Sequence, residues 1–288
     1  MKRSFLYSLP APAKLNLFLH VVGRRCDGKH LLESVFVLID LCDEIDLEER
    51  SDGKVVLRGC GGWDFRDDLT YKAAMLLKER FNIDSGVDIT LRKNIPVGAG
   101  MGGGSSDAAT ALIGLNKLWR IGLDRSELAQ LGLSLGADVP FFINGENSFV
   151  EGIGEVFTPL KHELPKKYIV VWPGTGVSTK EIFSDMRLTR DTKSQKIAFF
   201  SEPLPDLSCS PCYGRNDLQP VAVRIAPSIG RAIDLLNAEG IAARMTGSGS
   251  AVFASIDDLS HCDLKRFPAD WKCFMTRALS RHPLQSWC

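Results

Sequence analysis

The chain has 288 residues, 44% hydrophobic and 24% charged, with Lys+Arg and Asp+Glu balanced at 35 each. That length suggests two domains with ample material for a buried core. The charge balance leaves no global field to draw in nucleic acid or a membrane surface, so any anion must be held by local groups. Met1-Lys2-Arg3 and Phe5 to Leu9 outline a signal peptide, but the apolar part is too short and stops at Pro10. No apolar stretch approaches the ~20 residues of a membrane span, and a cytoplasmic, reduced protein is expected. The eight cysteines do not suggest a disulfide framework, and Cys209-Ser210-Pro211-Cys212 lacks a second pair at zinc spacing.

In chain order, Leu15–Val22 alternates as a strand. Leu15, Leu17, Leu19 and Val21 share one face; Lys14, Asn16, Phe18 and His20 share the other. A polar loop, Gly23 to His30, follows. Val35–Leu41, Glu44–Glu48 and Lys54–Arg58 read as separate strands. Tyr71, Ala74, Leu77 and Phe81 space a helix over Leu69–Phe81. Val87–Leu91 is a strand, and Ile95 to Asp107 is a glycine loop leading into a helix with Leu112, Leu115 and Trp119 inward. Asp124 and Glu127 predict a capping box opening a helix that ends at Gly136. Asn147 to Val156 is strand and turn, and polar residues around 160–167 mark a boundary. Tyr168–Trp172 is a strand and Ser178–Met186 a short helix, while residues 187–215 carry no assignable pattern. Ser228–Glu239 is a helix, Gly247 to Ser250 a second glycine turn, and Ala251–Ile256 a strand. A helix near Asp258–Arg266 and a strand near Cys273–Leu279 close the chain. Strands and helices mix without a regular βαβ rhythm, which favours α+β over a doubly wound sheet.

The loop Pro96-Val97-Gly98-Ala99-Gly100-Met101-Gly102-Gly103-Gly104-Ser105-Ser106 has five glycines in the seven residues from Gly98 to Gly104. Glycine permits positive φ, so successive N–H groups can face one concavity, and the helix N-terminus adds unpaired donors and dipole. This is an anion cradle suited to phosphate. A Walker loop requires Gly-Lys-Ser/Thr, and Gly104 is followed by Ser105. Gly98, Gly100 and Gly103 do match a dinucleotide fingerprint in letters, with Asp124 about 20 residues on, so a NAD-binding oxidoreductase stays open, as does a loop that merely turns a corner. Protein-kinase motifs are not present.

The pattern Pro96-x-Gly98-x-Gly100-x-Gly102-Gly103-Gly104-Ser105-Ser106-Asp107-Ala108-Ala109 resembles the ATP loop of the GHMP small-molecule kinases. Pro12-Ala13-Lys14-Leu15-Asn16-Leu17 and Thr246-Gly247-Ser248-Gly249-Ser250-Ala251-Val252-Phe253 resemble two further motifs of that family, in the right order. Gly23-Arg24-Arg25-x-Asp27-Gly28-x-His30, Gly136-Ala137-Asp138-Val139-Pro140-Phe141-Phe142 and Asn216-Asp217-Leu218 are similar to a branch whose acceptor is a small cytidine diphosphate-linked alcohol. Homoserine- and mevalonate-type members, or a catalytically inactive nucleotide-binding protein, are the alternatives.

The resemblance implies the two-domain GHMP kinase fold with a catalytic cleft between an ATP-binding domain, residues 1–162, and a substrate-side domain, residues 163–288. It implies ATP as co-substrate with Mg2+, whose ligands the sequence does not name, and a monomer or weak homodimer without nucleic acid or membrane partners. It assigns Pro96, Val97, Gly98, Ala99, Gly100, Met101, Gly102, Gly103, Gly104, Ser105 and Ser106 to ATP. Asp138 is the base and Lys14 the cation that meets developing charge. Asn16, His30, Asp138, Thr179 and Phe183 hold the acceptor. Lys29 stands where that branch carries a tyrosine. Read on residues alone, Asp138 also suits a helix N-cap before Pro140, Lys14 an edge position, and His30 an ordinary surface site.

Overall fold

The computed structural model describes residues 4–160, 164, 166–194, 215–256 and 264–288. Two sheets lie back to back between two layers of helices. The first sheet is organised by two long antiparallel strands, β1 (Phe5–Arg24) and β2 (His30–Arg50), paired along their whole length. The other edge of β2 pairs with β4 (Gly86–Arg92) towards its end and with β5 (Ser148–Glu151) towards its start. β3 (Val55–Arg58) runs parallel to β4, and β6 (Val156–Pro159) pairs with β5. The second sheet has the order β10-β7-β9-β8, from Lys272–Arg277, Lys167–Trp172, Val252–Ser255 and Arg244–Met245.

Helices α1 (Leu69–Arg80), α2 (Gly103–Leu118), α3 (Arg125–Leu133) and α4 (Val139–Asn144) pack on the first sheet through Leu38, Leu47, Leu77, Ile89, Leu112 and Phe141. A second apolar layer joins the two sheets, with Leu15, Phe18 and Val37 facing Tyr168, Val170 and Phe253. The outer face of the second sheet is covered by α5 (Thr179–Ser184), α6 (Gln219–Ile225) and α7 (Pro227–Ala238) through Ile182, Val221 and Ile229. Burial on both faces of both sheets accounts for the near-continuous apolar runs in the central strands.

The expected strands Val35–Leu41 and Glu44–Glu48 are one strand. Asp43, which interrupts the apolar pattern, is fully buried and accepts from the backbone N–H groups of Asn94 and Ile95, 2.5 and 2.8 Å away. It is therefore an internal fixing point and not a turn. A register shift between Asn16 and Leu19 also breaks the alternation of β1: Phe18 packs with Leu15 and Leu17 in the inter-sheet layer, not on the Lys14 face. The capping box of α3 forms as expected, with both reciprocal hydrogen bonds. α2 starts at Gly103, immediately at the glycines. Of the expected helix near Asp258–Arg266, only a single 3-10 turn at Leu264–Arg266 falls within the described residues; Cys209 and Cys212 lie outside them. Cys26, Cys42, Cys60 and Cys288 are free thiols. Among the described residues no helix is long and apolar enough to cross a membrane.

Candidate active site

The glycine loop joins β4 to α2, and its shape is set by a second turn that packs against it. Gly100 has φ of 77°, and a Cβ there would lie 2.5 Å from the carbonyl oxygen of Thr246. Conversely, a Cβ on Gly247 would lie 2.4 Å from the carbonyl oxygen of Gly100. Two backbones meet where no side chain fits, and the Ala251 N–H donates to the Ala99 carbonyl at 3.0 Å to close the contact. The late turn is held in turn by Asn216, whose Nδ2 donates to the carbonyls of Met245 and Gly247 at 2.9 and 2.8 Å. Its neighbour Asp217 accepts from the Val21 N–H at 2.8 Å, tying this segment to β1.

Gly102, the N-cap of α2, brings no side-chain cap to the first turn. The N–H groups at Gly103, Gly104 and Ser105 therefore face the cleft as an anion-binding helix end. Ser106 is different. Its hydroxyl donates to the Pro12 carbonyl at 2.7 Å and its N–H to the Gly102 carbonyl at 2.9 Å, so both groups are consumed in holding α2 to β1.

A cleft of about 540 Å³ opens over this loop, within the usual range of small-molecule sites. Lys14, Asn16, Pro96 to Ser105, Asp138, Thr179 and Phe183 all line it, although they come from positions far apart in the chain. Lys14 is 4% exposed. Its Nζ donates to Asn16 Oδ1, sits 4.5 Å over the Phe36 ring and lies 3.9 Å from Asp138 Oδ2. Burial lowers the Lys14 pKa, and Asp138 only partly restores it. Asn16 is fixed on three sides: its N–H donates to Thr246 Oγ1 at 2.8 Å, its Nδ2 to Ser34 Oγ at 2.9 Å, and its Oδ1 receives Lys14.

Asp138 stands at the N-cap of α4, the position that the sequence also allowed for a purely structural role. Its side chain makes no capping hydrogen bond. The carboxylate instead turns to Lys14 and remains about one-third exposed to the cleft, at 31%. Thr179 Oγ1 and Ser248 Oγ lie 2.7 Å apart and join α5 to the late turn. His30 does not line the cleft. It stacks on Phe183, which does, with centroids 4.8 Å apart and an interplanar angle of 28°. The rings touch each other, so a third ring has the outer face of Phe183 and not the space between the two. Lys29 is exposed, and its N–H closes the loop on Asp27 Oδ1 at 3.1 Å.

Several cleft residues were given no role by the sequence. Lys93 bridges Asp43 and Asp107, with Asp107 Oδ2 at 2.6 Å, directly under the start of α2. Burial opposes the Lys93 charge, but Asp107 and Asp43 outweigh it and raise its pKa; burial likewise pushes the Asp107 carboxyl up while Lys93 pulls it back. Trp63 and Leu69 form the far wall, with Trp63 Nε1 donating to Asp68 Oδ2 at 3.1 Å. A lysine three residues before the loop proline was the available clue to the first group; a lone tryptophan after Gly61-Gly62 was the clue to the second.

Residues 68–146 match the family model described as "GHMP kinases N terminal domain", and residues 201–262 match "GHMP kinases C terminal". A protein of Paracidovorax citrulli named "4-diphosphocytidyl-2-C-methyl-D-erythritol kinase" is 48% identical over 286 residues, covering 98% of this chain and 97% of the relative. The chain belongs to the GHMP kinases. A Ralstonia nicotianae protein of the same name is 48% identical over 282 residues, covering 97% of this chain and 96% of its own. Among solved structures, a 4-(cytidine 5'-diphospho)-2C-methyl-D-erythritol kinase superposes with a TM-score of 0.74 at 32% identity, covering 96% of this chain and 99% of that one. A mevalonate kinase superposes with a TM-score of 0.67 at 16% identity, which shows the shared GHMP kinase fold alone. As a GHMP kinase the protein is an ATP-dependent phosphotransferase, and the two-sheet architecture is the two-domain α+β fold of that family.

Proposed function

We propose that this kinase transfers the γ-phosphoryl group of ATP to the 2-hydroxyl of 4-diphosphocytidyl-2-C-methyl-D-erythritol, in isoprenoid precursor synthesis. The name borne by full-length relatives supports the substrate. The observation that carries the chemistry is the Lys14–Asp138 pair, 3.9 Å apart, in the cleft that the glycine loop floors.

The N–H groups of the loop and of the first turn of α2, from Gly98 to Ser105, grip the ATP phosphates. Asp138 takes the proton of the acceptor hydroxyl; it is free to do so because it neither caps α4 nor is closed off from solvent. General-base help of this kind contributes on the order of 10²–10⁴ in rate. Lys14 meets the charge on the moving phosphoryl group from a buried position, where electrostatic stabilisation is strongest. Asn16 holds Lys14 and orients the acceptor, and Thr179 and Phe183 bind it further along the cleft, with His30 acting on it through Phe183, against which it stacks. Ser106 supports the loop by anchoring α2 and does not touch ATP. We place the boundary between the ATP-binding and substrate-side parts at 162/163, consistent with one sheet on each side of it; the turn at Gly247 to Ser250 reaches back across it.

Mg2+ would enter with ATP and neutralise phosphate charge. Such ions keep most of their ligands as waters and phosphates and need only one or two protein groups. The residues suit that modest demand: Asp107 Oδ1 is buried without a hydrogen-bond partner among the described residues, and the Ser105 hydroxyl stands at the same helix end.

A coupled ADP-release assay tests the reading, with the cytidylyl acceptor run against mevalonate and homoserine. Turnover confined to the first is expected; turnover of either other alcohol in its place refutes it.

A further inference from the structure

After β10 the chain leaves the second sheet and returns to the first. The Leu279 N–H donates to the Leu38 carbonyl on β2 at 2.8 Å, and the Leu279 carbonyl receives Asn147 Nδ2 at 2.9 Å. The chain then passes the far end of α4, the short helix that carries Asp138 at its N-cap. The His282 N–H donates to the Gly145 carbonyl at 2.8 Å, and Leu284 is buried in the core beneath the first sheet. Gly145 closes α4 at φ of 70°. A Cβ there would lie 2.8 Å from His282 Cβ and closer still to the Gln285 amide.

Arg125, the first residue of α3, ties these pieces together. Its Nη1 donates to the Ile143 carbonyl in the last turn of α4, and its Nη2 to the carbonyls of Gln285 at 2.5 Å and Cys288 at 3.3 Å. All three acceptors are backbone. The planar guanidinium fork reaches two chain segments at once, and its charge suits the negative end of a helix. Arg125 does not line the cleft, so any part it has in the reaction is exerted through α4. The lever is short: α4 has six residues, about 9 Å of helix. At its other end Asp138 makes no capping hydrogen bond. Its carboxylate is placed by the backbone of α4 and by the 3.9 Å approach to Lys14.

We infer that Arg125 is a positioning residue for the transfer: it clamps the last turn of α4 to the segment His282–Cys288 and so sets where Asp138 stands against Lys14. The inference rests on the reading that Asp138 is the base. Displacing a reacting group by about 1 Å can cost on the order of 10²-fold in rate, so α4 need shift Asp138 by only part of that to be measured.

Arg125→Met in the full-length protein keeps the apolar stem and removes every donor. With the cytidylyl acceptor, kcat should fall about tenfold, while KM for ATP and the rise in Tm on adding ATP stay within about twofold of the parent. Arg125→Lys keeps a donor and should recover kcat to within about threefold. The deciding measurement is the double variant. Acting through Asp138, Arg125→Met should change kcat by less than about twofold once Asp138 is already Asn; a general loss of structure would lower it by the same factor in both backgrounds. Should Arg125→Met not fold, Arg125→Lys carries the same comparison, with its loss present in the parent background and absent in Asp138→Asn. Folded Arg125→Met with kcat within about twofold of the parent overturns the inference, because packing of Val139 to Ile143 alone would then hold the helix. Equal losses in the two backgrounds overturn it too, as does a defect confined to KM for ATP. Asp138→Asn alone checks the underlying reading: if it keeps the parent turnover, Asp138 is not the base and the role of Arg125 falls with it.

Discussion

Asp138→Asn removes one proton acceptor while keeping the shape of the side chain. Three structural facts fix what it should do. The side chain does not cap α4, so no helix end is lost. Its ion pair with Lys14 spans 3.9 Å. Its own exposure is 31%. Coulomb's law at that distance gives about 4 kcal/mol at an effective dielectric of ~20 and about 1 kcal/mol in water. Partial exposure places the pair towards the lower figure, so the loss of stability should be about 1 kcal/mol, a fall in Tm of roughly 2–4 °C. Asp138 pairs with Lys14 and not with the glycine loop, so ATP should still raise Tm by as much as in the parent. Turnover should drop by about 10²–10⁴ if the carboxylate is the base. Differential scanning fluorimetry with and without ATP, beside the ADP-release assay, separates these outcomes. Retention of more than about a tenth of the parent kcat, or loss of ATP protection, would refute the assignment.

Other consequences can be checked independently. Gly100→Ala forces a side chain at φ of 77° to within 2.5 Å of the Thr246 carbonyl, so Tm and ATP affinity should both fall; an unchanged Tm by fluorimetry would contradict the packing of the two turns. Gly104→Ala has nothing within 4 Å of its new Cβ, so Tm should hold or rise while KM for ATP increases, because the methyl group enters the phosphate site. Thr246→Val strips the acceptor from the buried Asn16 N–H and should cost about 1–3 kcal/mol in urea unfolding. His282 is 1% exposed, and burial first, then Arg125, pushes its pKa down to about 4. Its contribution to stability is therefore complete above its unfolded value near 6.5 and is lost as pH falls towards 4. At pH 5 that loss is about 2 kcal/mol, and in His282→Asn the decline in stability between pH 7 and 5 should shrink by about that amount.

What the sequence disclosed was local. Glycine spacing marked the loop, and the period-two pairing of Lys14 with Asn16 placed both in the cleft. Asp138 stood out by its turn, though residues alone could not tell a base from a cap; the structure shows that the side chain makes no capping hydrogen bond. What stayed hidden depends on partners distant in the chain. Asp43 looks like a break between strands until it is seen receiving the N–H groups of Asn94 and Ile95, 51 and 52 residues later. Arg190, whose guanidinium donates to the carbonyls of Phe183, Asp185 and Leu188, sits in a stretch without periodicity because its side chain, not its backbone pattern, does the organising. His30 and Phe183 stood out separately in the sequence, and only the structure stacks one ring on the other, with His30 outside the cleft.

The contact between Gly100 and Gly247 binds the two halves of the chain to a single fate. Neither turn can acquire a side chain while the other stays in place, so a substitution tolerated in one requires retreat in the other. It also means that the part carrying the phosphate loop is not a portable module. A fragment that stops before residue 246 would keep every glycine of the loop and lose the surface against which the loop is moulded. Attempts to graft residues 95–107 into another scaffold should transplant a flexible ribbon, not a nucleotide site, unless the second turn travels with it.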